Sequence, residues 1–149
     1  MRHTYSCPLR WSDMDAFGHV NNVVFLRYLE EARIDLMFRL AGEREPGAFS
    51  RGSVVARHEI DYLRPLVHRY APVTVETWVT RLAAASATLA YEVRDAETVY
   101  ARASTVVVPY DLQSQRPRRL TDAERAFLKE YVDDSATDTG AETGLRRPR

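Results

Sequence analysis

The longest regular pattern of apolar and polar positions in the chain covers residues 23–40. Its apolar side chains recur every three or four residues, as they do on the buried face of an α-helix. The positions on this face are Phe25, Leu29, Ala32, Leu36 and Leu40, flanked by Leu26 and Met37. We therefore predict a helix about 27 Å long, with Asn21 or Asn22 as its N-cap. Ala41 and Gly42 are predicted to end it.

Five shorter segments alternate between apolar and polar positions with a period of two, which indicates β-strands. They span residues 3–12, 53–64, 73–81, 86–94 and 99–110. A short final helix is predicted over residues 123–132, because Thr121 and Glu124 have the spacing of a capping box. One strand, one long helix and four mostly antiparallel strands give an α+β fold in which the helix covers one face of the sheet.

The chain is predicted to contain one domain. Residues 1–132 hold all the predicted helices and strands and are long enough for one hydrophobic core. Residues 133–149 contain a single large apolar side chain, Leu145, among small and polar residues. We therefore expect this last segment to be a disordered tail.

The composition is that of an ordinary globular protein, and it argues against several functional classes. The chain is 45% hydrophobic and carries a formal net charge of zero, so it lacks the basic excess typical of nucleic-acid-binding proteins. Its apolar runs are much shorter than a membrane span, and its first residues lack a signal-peptide core. Cys7 is the only cysteine, so no internal disulfide can form. We expect a cytoplasmic protein.

The candidate chemistry lies between the first strand and the long helix. Asp15 follows the strand, and Gly18 permits a tight turn before the helix begins. The free N–H groups at a helix start can stabilise an oxygen that becomes anionic during a reaction. Asp15 would supply the nucleophile or base that such a site needs, or it could be a turn-forming or capping aspartate. Asp13 is interpreted as a turn residue or as a group that orients Asp15.

The histidines leave alternative interpretations open. His19 lies four residues after Asp15 and either acts with it or packs on the turn. His58 shares a strand face with Ile60 and Tyr62, so it either lines a pocket or is a hydrogen-bonded core histidine. Their spacing matches no metal-ligand motif, and we predict no metal. The Gly-x-Ser-x-Gly motif of α/β-hydrolases and a Gly-rich phosphate loop are also absent from the sequence.

Two segments of the sequence resemble the hotdog-fold acyl-CoA thioesterases. The first is Trp-Ser-Asp-Met-Asp-Ala-Phe-Gly-His-Val-Asn-Asn at 11–22, followed by Tyr-Leu-Glu-Glu-Ala-Arg at 28–33, and the second is Asp-Tyr-Leu-Arg-Pro at 61–65. The chain is most similar, over roughly residues 3–132, to the branch that includes 4-hydroxybenzoyl-CoA thioesterase and the long-chain acyl-CoA thioesterases. The resemblance implies a hotdog fold, in which a curved five-stranded antiparallel sheet wraps a long central helix and a short C-terminal helix follows.

The resemblance also implies a reaction and a site. The catalytic carboxylate of the family corresponds to Asp15, and the backbone N–H that polarises the thioester carbonyl corresponds to that of Asn22. The expected function is hydrolysis of acyl-CoA thioesters to free acid and CoA, with Asp15 as nucleophile or general base and without a cofactor. Gly18 is expected to form part of the catalytic turn. The predicted substrate-binding residues are His19, Asn21, Val23, Phe25, His58 and Tyr62.

The expected partners are a thioester of CoA or of acyl-carrier protein and further copies of the chain. Arginines near strand ends would hold the phosphates, and the candidates are Arg57, Arg64, Arg69 and Arg81. One helix cannot cover both faces of a five-stranded sheet, and open sheet edges are a liability. We therefore expect a homodimer or, as in many family members, a homotetramer. Two alternative functions stay open: a hotdog enoyl-thioester hydratase or dehydratase, and a non-catalytic acyl-CoA-binding protein.

Overall fold

The computed structural model describes residues 1–133. Its strands are β1 (His3–Cys7), β2 (Ser53–Tyr62), β3 (Val73–Leu82), β4 (Ala87–Arg94), β5 (Val99–Asp111) and the short β6 (Arg116–Pro117). Its helices are α1 (Asn22–Ile34), α2 (Ala41–Arg44) and α3 (Asp122–Lys129). A π-helical segment (Asp35–Leu40) joins α1 to α2 without a break. We call residues 22–44 the central helix.

The strands form an antiparallel sheet in the order β1-β3-β4-β5-β2, and β6 pairs with the end of β5. The two strands that flank the central helix in sequence, β1 and β2, therefore lie at opposite edges of the sheet. The central helix crosses between them and packs its apolar face against the sheet. The predicted α+β fold, with a long helix wrapped by a curved antiparallel sheet and a short C-terminal helix, is confirmed.

The central helix is longer than predicted, because it does not end at Gly42. It continues to Arg44, and Glu45 then leaves the helical conformation with φ −135° and ψ 96°. A residue that precedes a proline is disfavoured in the α region, so Pro46 and not Gly42 accounts for the end of the helix.

The wide π-helical turn also changes which residue is buried near this end. The amide of Ala41 donates to the carbonyl of Leu36, five positions earlier. Ala41 is consequently buried, at 1% exposure, whereas Leu40, which the α-helical spacing predicts to be buried, is partly exposed. The other predicted members of the apolar face are buried or half-buried.

Two strand ends differ from the predicted ones. β1 ends at Cys7, and Pro8, which cannot donate to a strand ladder, follows it; the residues predicted to extend it instead form a single helical turn at Trp11–Asp13. β2 ends at Tyr62 and lies at a sheet edge, where it pairs with β5. Most of its side chains are exposed on both faces, including Val54 and Val55.

The C-terminal part of the described chain docks on β3. Val79 donates its amide to the Tyr131 carbonyl at 2.8 Å, and Asp133 accepts a hydrogen bond from Arg2 Nε at 2.9 Å. The tail predicted over 133–149 falls, from residue 134 onward, outside the described residues. None of the helices over residues 1–133 is long and apolar enough to cross a membrane.

A buried ion pair joins α3 to the segment before it, and the same carboxylate joins α3 to the loop after the central helix. Arg118 donates to both carboxylate oxygens of Glu124 at 2.7 and 3.0 Å, and both side chains are more than nine-tenths buried. Glu124 also accepts the amides of Thr121 and Phe49. Burial alone would raise the pKa of Glu124, but these hydrogen bonds outweigh it and lower the pKa below its ordinary value of 4.5.

We predict that Glu124→Gln destabilises the protein by about 3 kcal/mol, because it leaves the buried charge of Arg118 without its partner. The matched control is Glu130→Gln, in an exposed ion pair with Arg44, which should cost less than about 1 kcal/mol. Urea unfolding at pH 7 measures both values. Since the folded pKa of Glu124 is depressed, its contribution is present above the unfolded pKa and is lost as the pH falls through the folded one. Equal losses in the two variants would contradict this role.

Candidate active site

The loop between β1 and the central helix is closed by its own backbone. The amide of Asp15 donates to the carbonyl of His19 at 2.9 Å, and the amide of Asn21 donates to the carbonyl of Asp13 at 2.9 Å. Val20 donates in turn to the carbonyl of Leu66 at 2.7 Å, which attaches this loop to the segment that follows β2. These bonds fix Asp15 between the first strand and the helix start.

Asp15 forms a tight turn with the three residues that follow it. The Gly18 amide donates to the Asp15 carbonyl at 3.0 Å, and the Phe17 amide donates to Asp15 Oδ1 at 2.9 Å. Gly18 has φ +76°, and a Cβ built at this position would meet no atom within 4 Å. Glycine is therefore favoured at this position by the left-handed backbone conformation and not by lack of space.

The central helix begins at Asn22, with Asn21 as its N-cap. The side-chain oxygen of Asn21 accepts the Val23 amide at 2.9 Å, so of the two predicted N-caps it is Asn21 that caps the helix. The amide of Asn22 donates to no acceptor within residues 1–133. It is one of the free donors of the first helical turn.

A cavity of about 550 Å³ opens beside this turn, and its wall is mostly apolar. Five residues of the predicted site line it: Asp15, His19, Asn22, Phe25 and Tyr62. The other lining residues are Phe17, Val20, Leu63, Arg64 and Pro65. Asp15, which carries a carboxylate, and Asn22, whose amide is a free helix donor, thus line one mostly apolar space. Such a combination suits the binding of a largely apolar substrate and attack on a carbonyl group within it.

Tyr62 joins the end of β2 to the start of the central helix. Its hydroxyl donates to the Asn22 carbonyl at 2.7 Å. Its ring lies edge-to-face on the ring of Phe25, with 5.5 Å between centroids. The cavity wall therefore combines two sequence segments that are about 40 residues apart.

Some predicted site residues lie outside this cavity wall. Gly18 and Asn21 belong to the loop before the central helix but do not line the cavity. Val23, in the first turn of the helix, does not line it either and is 56% exposed. His58 is exposed on β2, and its Nδ1 lies 2.9 Å from the hydroxyl of Thr105 on the neighbouring strand. Partial burial, followed by the nearby charge of Arg33, lowers the pKa of His58 below its ordinary value.

The four arginines proposed for phosphate binding have different surroundings. Neither Arg64 nor the exposed Arg81 makes an ion pair within the described residues, but of the two only Arg64 lines the cavity. Arg57 is paired with Glu59, and Arg69 donates to Asp95 at 2.9 Å. Arg64 is therefore the candidate whose charge remains available at the cavity.

Four lining residues were not predicted from the sequence: Phe17, Val20, Leu63 and Pro65. Leu63 and Pro65 lie within the second segment of the family resemblance, which gave a signal that they belong to the same region. Phe17 is 86% exposed. A large hydrophobic side chain within an otherwise polar turn was the sequence feature that could have indicated its place on the cavity wall.

The Asp13 side chain attaches the loop to the central helix. The Tyr28 hydroxyl donates to Asp13 Oδ2 at 2.6 Å, and the Arg10 amide donates to the same oxygen at 2.9 Å. Burial, followed by this bond to a carboxylate, raises the pKa of Tyr28. Of the two interpretations of Asp13, a turn residue and an orienter of Asp15, these contacts favour a residue that supports the turn.

No group of three His, Cys, Asp or Glu side chains within residues 1–133 is arranged to hold a metal ion.

Residues 9–130 match the family model of the thioesterase-like superfamily. Three solved structures are also similar to the chain. A predicted thioesterase from Bacillus stearothermophilus shares 28% identity, with a TM-score of 0.79, over 89% of this chain and 98% of that one. The PA2801 protein of Pseudomonas aeruginosa shares 35% identity, with a TM-score of 0.73, over 83% and 95%. A Thermus thermophilus thioesterase complexed with coenzyme A and zinc shares 32% identity, with a TM-score of 0.71, over 86% and 92%.

We predict that Tyr28→Phe lowers the free energy of unfolding by about 1.5 kcal/mol, because the Asp13 carboxylate loses its hydrogen bond from the buried hydroxyl. Tyr70→Phe is the matched control, since Tyr70 is 99% exposed, and it should change stability by less than about 0.5 kcal/mol. Urea unfolding followed by circular dichroism measures the difference. Two variants of equal stability would show that the bond to Asp13 contributes little.

Proposed function

Because the chain belongs to the thioesterase-like superfamily, we propose that it hydrolyses acyl-CoA thioesters to a free acid and CoA. The observation that carries this proposal is that Asp15 and Asn22 line the same mostly apolar cavity. The resemblance found in residues 11–22 and 61–65 supports the same assignment, because Asp15 corresponds in it to the catalytic carboxylate of the family.

In the proposed reaction the thioester carbonyl oxygen accepts the Asn22 amide. Negative charge develops on this oxygen as the carbonyl carbon is attacked, so a fixed donor at this position stabilises the transition state more than the substrate. Asp15 either attacks the carbon itself or removes a proton from an attacking water. If Asp15 attacks, the C–O bond that it forms gives a mixed anhydride as the C–S bond breaks, and water then hydrolyses the anhydride to the free acid and restores the carboxylate. If water attacks with Asp15 as the base, the water oxygen forms the C–O bond directly and Asp15 takes its proton. On either route CoA leaves as the thiolate and takes up a proton, from water or from Asp15, to become the thiol. Gly18 supplies the backbone conformation that the turn requires.

The chemistry of the cavity wall supports a CoA thioester as the substrate. Phe25, Tyr62 and Leu63 offer apolar surface to an acyl chain, and Arg64 offers a charge to a phosphate. The related Thermus protein was solved with coenzyme A. Acyl-carrier protein presents the same phosphopantetheine arm, so it is the second carrier to test. We expect the reaction to take place in the cytoplasm.

We further propose that the protein forms a homodimer, or a homotetramer of two such dimers, through the edge strand β2. Within residues 1–133 this strand pairs with another strand along one edge only, and Val54 and Val55 are about 40% exposed. Pairing two copies along it would satisfy the free backbone groups and cover these side chains. Tyr62, which lines the cavity, lies on the same strand, so a partner chain at this edge would lie close to the site.

We predict that Asp15→Asn lowers kcat by at least about a thousandfold while acyl-CoA binding persists, because the variant keeps the shape of the side chain and loses its nucleophilic or basic oxygen. Thiol release from a panel of aliphatic and aromatic acyl-CoA thioesters measures the rate, and calorimetry with a non-hydrolysable acyl-CoA ether measures binding. The matched control is Asp122→Asn on α3, which should retain full activity.

Other outcomes of this experiment identify the alternative functions. A rate that is unchanged in Asp15→Asn removes Asp15 from the mechanism. Turnover of enoyl-CoA without thiol release would indicate a hydratase, and binding without any turnover in the unsubstituted protein would indicate an acyl-CoA-binding protein.

Multi-angle light scattering at micromolar concentration should give two or four times the monomer mass of 17.1 kDa. Val55→Glu should shift the protein towards the monomer, because it places a charge on the proposed interface. Leu112→Glu, at a more exposed position outside β2, is the control and should leave the mass unchanged. A monomer in the unsubstituted protein would contradict the proposed assembly.

A further inference from the structure

Asn21 makes two side-chain hydrogen bonds in opposite directions. Its Oδ1 accepts the Val23 amide at 2.9 Å and thereby caps the central helix. Its Nδ2 donates to Asp15 Oδ2 at 3.4 Å. One half-buried side chain therefore connects the helix start to the carboxylate on the other side of the turn.

The helix cap determines which way the Asn21 amide group is turned. A backbone N–H can donate only to the oxygen of the side chain, so Oδ1 must face Val23. The amino group is then directed towards Asp15, where an acceptor is present. The orientation of this side chain is consequently set by two independent partners.

Helix capping alone does not require asparagine at this position. Aspartate and serine cap helices about as well, but neither can both accept from Val23 and donate a hydrogen bond from a second atom to Asp15 in its ionised form. The second bond is the property that distinguishes asparagine from the other good caps.

The two oxygens of Asp15 are held by different donors. Oδ1 accepts the Phe17 amide at 2.9 Å, within the turn. Oδ2 has the longer contact with Asn21, so it is the less constrained oxygen. Hydrogen bonds in active sites are often long without substrate and shorten in the reacting complex. Asn21 therefore faces the oxygen that remains freer to react.

We propose that Asn21 is a positioning residue, which holds the Asp15 carboxylate in a fixed orientation relative to the start of the central helix. This inference rests on the proposed function, because it assigns Asn21 a part in the reaction of Asp15. Asn21 is not itself among the residues that line the cavity. It acts through Asp15, and it couples the orientation of the carboxylate to the helix whose first amide polarises the carbonyl.

The test compares two substitutions that keep the helix cap. Asn21→Ser retains a capping oxygen and loses Nδ2, the atom that donates to Asp15. Asn21→Asp retains a capping oxygen at nearly the same place and puts a second carboxylate against Asp15. A residue that only caps the helix would tolerate both changes, so the two roles give different results.

For Asn21→Ser we expect kcat to fall about tenfold, because the carboxylate loses a hydrogen bond that holds its reactive orientation. KM should stay within about twofold, and the melting temperature should stay within about 2 °C, since the cap is retained. Thiol release with the best acyl-CoA of the panel measures kcat and KM. Thr121→Ser, a cap exchange on α3, is the matched control and should change none of these quantities.

For Asn21→Asp we expect a larger fall in kcat near neutral pH and an acid limb of kcat/KM that moves to higher pH. Two carboxylates within hydrogen-bonding distance disfavour having both charged. The remaining charged or titratable groups on the cavity wall are His19, Tyr62 and Arg64, and they are the same in both proteins. The shift of the acid limb therefore reports on the contact between residues 21 and 15.

Crystal structures of the unsubstituted protein and of Asn21→Ser give a result that does not depend on activity. We expect one orientation of the Asp15 carboxylate in the first and more than one, or a rotated one, in the second. An Asp15 orientation that is unchanged in Asn21→Ser, or an unchanged kcat in both variants of an active enzyme, would overturn the inference. An unsubstituted protein that cleaves no thioester, or that does not need Asp15, would overturn the proposed function instead, and the crystal structures would still decide the position of the carboxylate.

Discussion

The position of the candidate site depends on the hydrogen bond from Tyr28 to Asp13. This bond links the first residues of the loop to the second turn of the central helix. The carbonyl of the same aspartate accepts the Asn21 amide, so the loop is closed at both ends by one residue. Asp15 lies inside this closed loop, and its distance from the helix start is therefore set by the fold and not by the flexibility of the chain.

Much of the fold could be predicted because its elements have simple periods. The central helix shows the three- and four-residue spacing over most of its length, and strands β3, β4 and β5 alternate over much of theirs between buried and half-buried positions. The prediction was wrong at the C-terminal end of the central helix, where one local preference outweighed another. Gly42 is a common helix stop, but the residue before Pro46 ends this helix. Leu40 has the α-helical spacing, but the π-helical turn that ends at Leu40 shifts the buried face by one residue, so that Ala41 is buried instead.

The candidate site could be predicted only in part, and for a different reason. Asp15, His19 and Asn22 are close in sequence, so the motif that contains them indicates that they meet. Phe25 and Tyr62 also reach the cavity, but their contact depends on the helix and an edge strand being brought together. Leu63 and Pro65 lie on the wall because Val20 pairs with Leu66, and no local pattern announces a backbone bond between such distant residues. His58 has the right strand face, but its ring lies beside Thr105, a partner that follows from the strand register.

The strand order has a consequence for how the molecule folds. β3, β4 and β5 are joined by short turns and pair with their neighbours in sequence, so their contacts are local. β1 and β2 reach the sheet only through partners far along the chain, as in the pairing of His3 with Thr77 and of Tyr62 with Ala101. Closing such long loops costs chain entropy, and the strand contacts that offset this cost form only after the loop has closed. We therefore expect the three-stranded meander to nucleate folding, and the segments that carry Asp15 and Tyr62 to join the sheet afterwards.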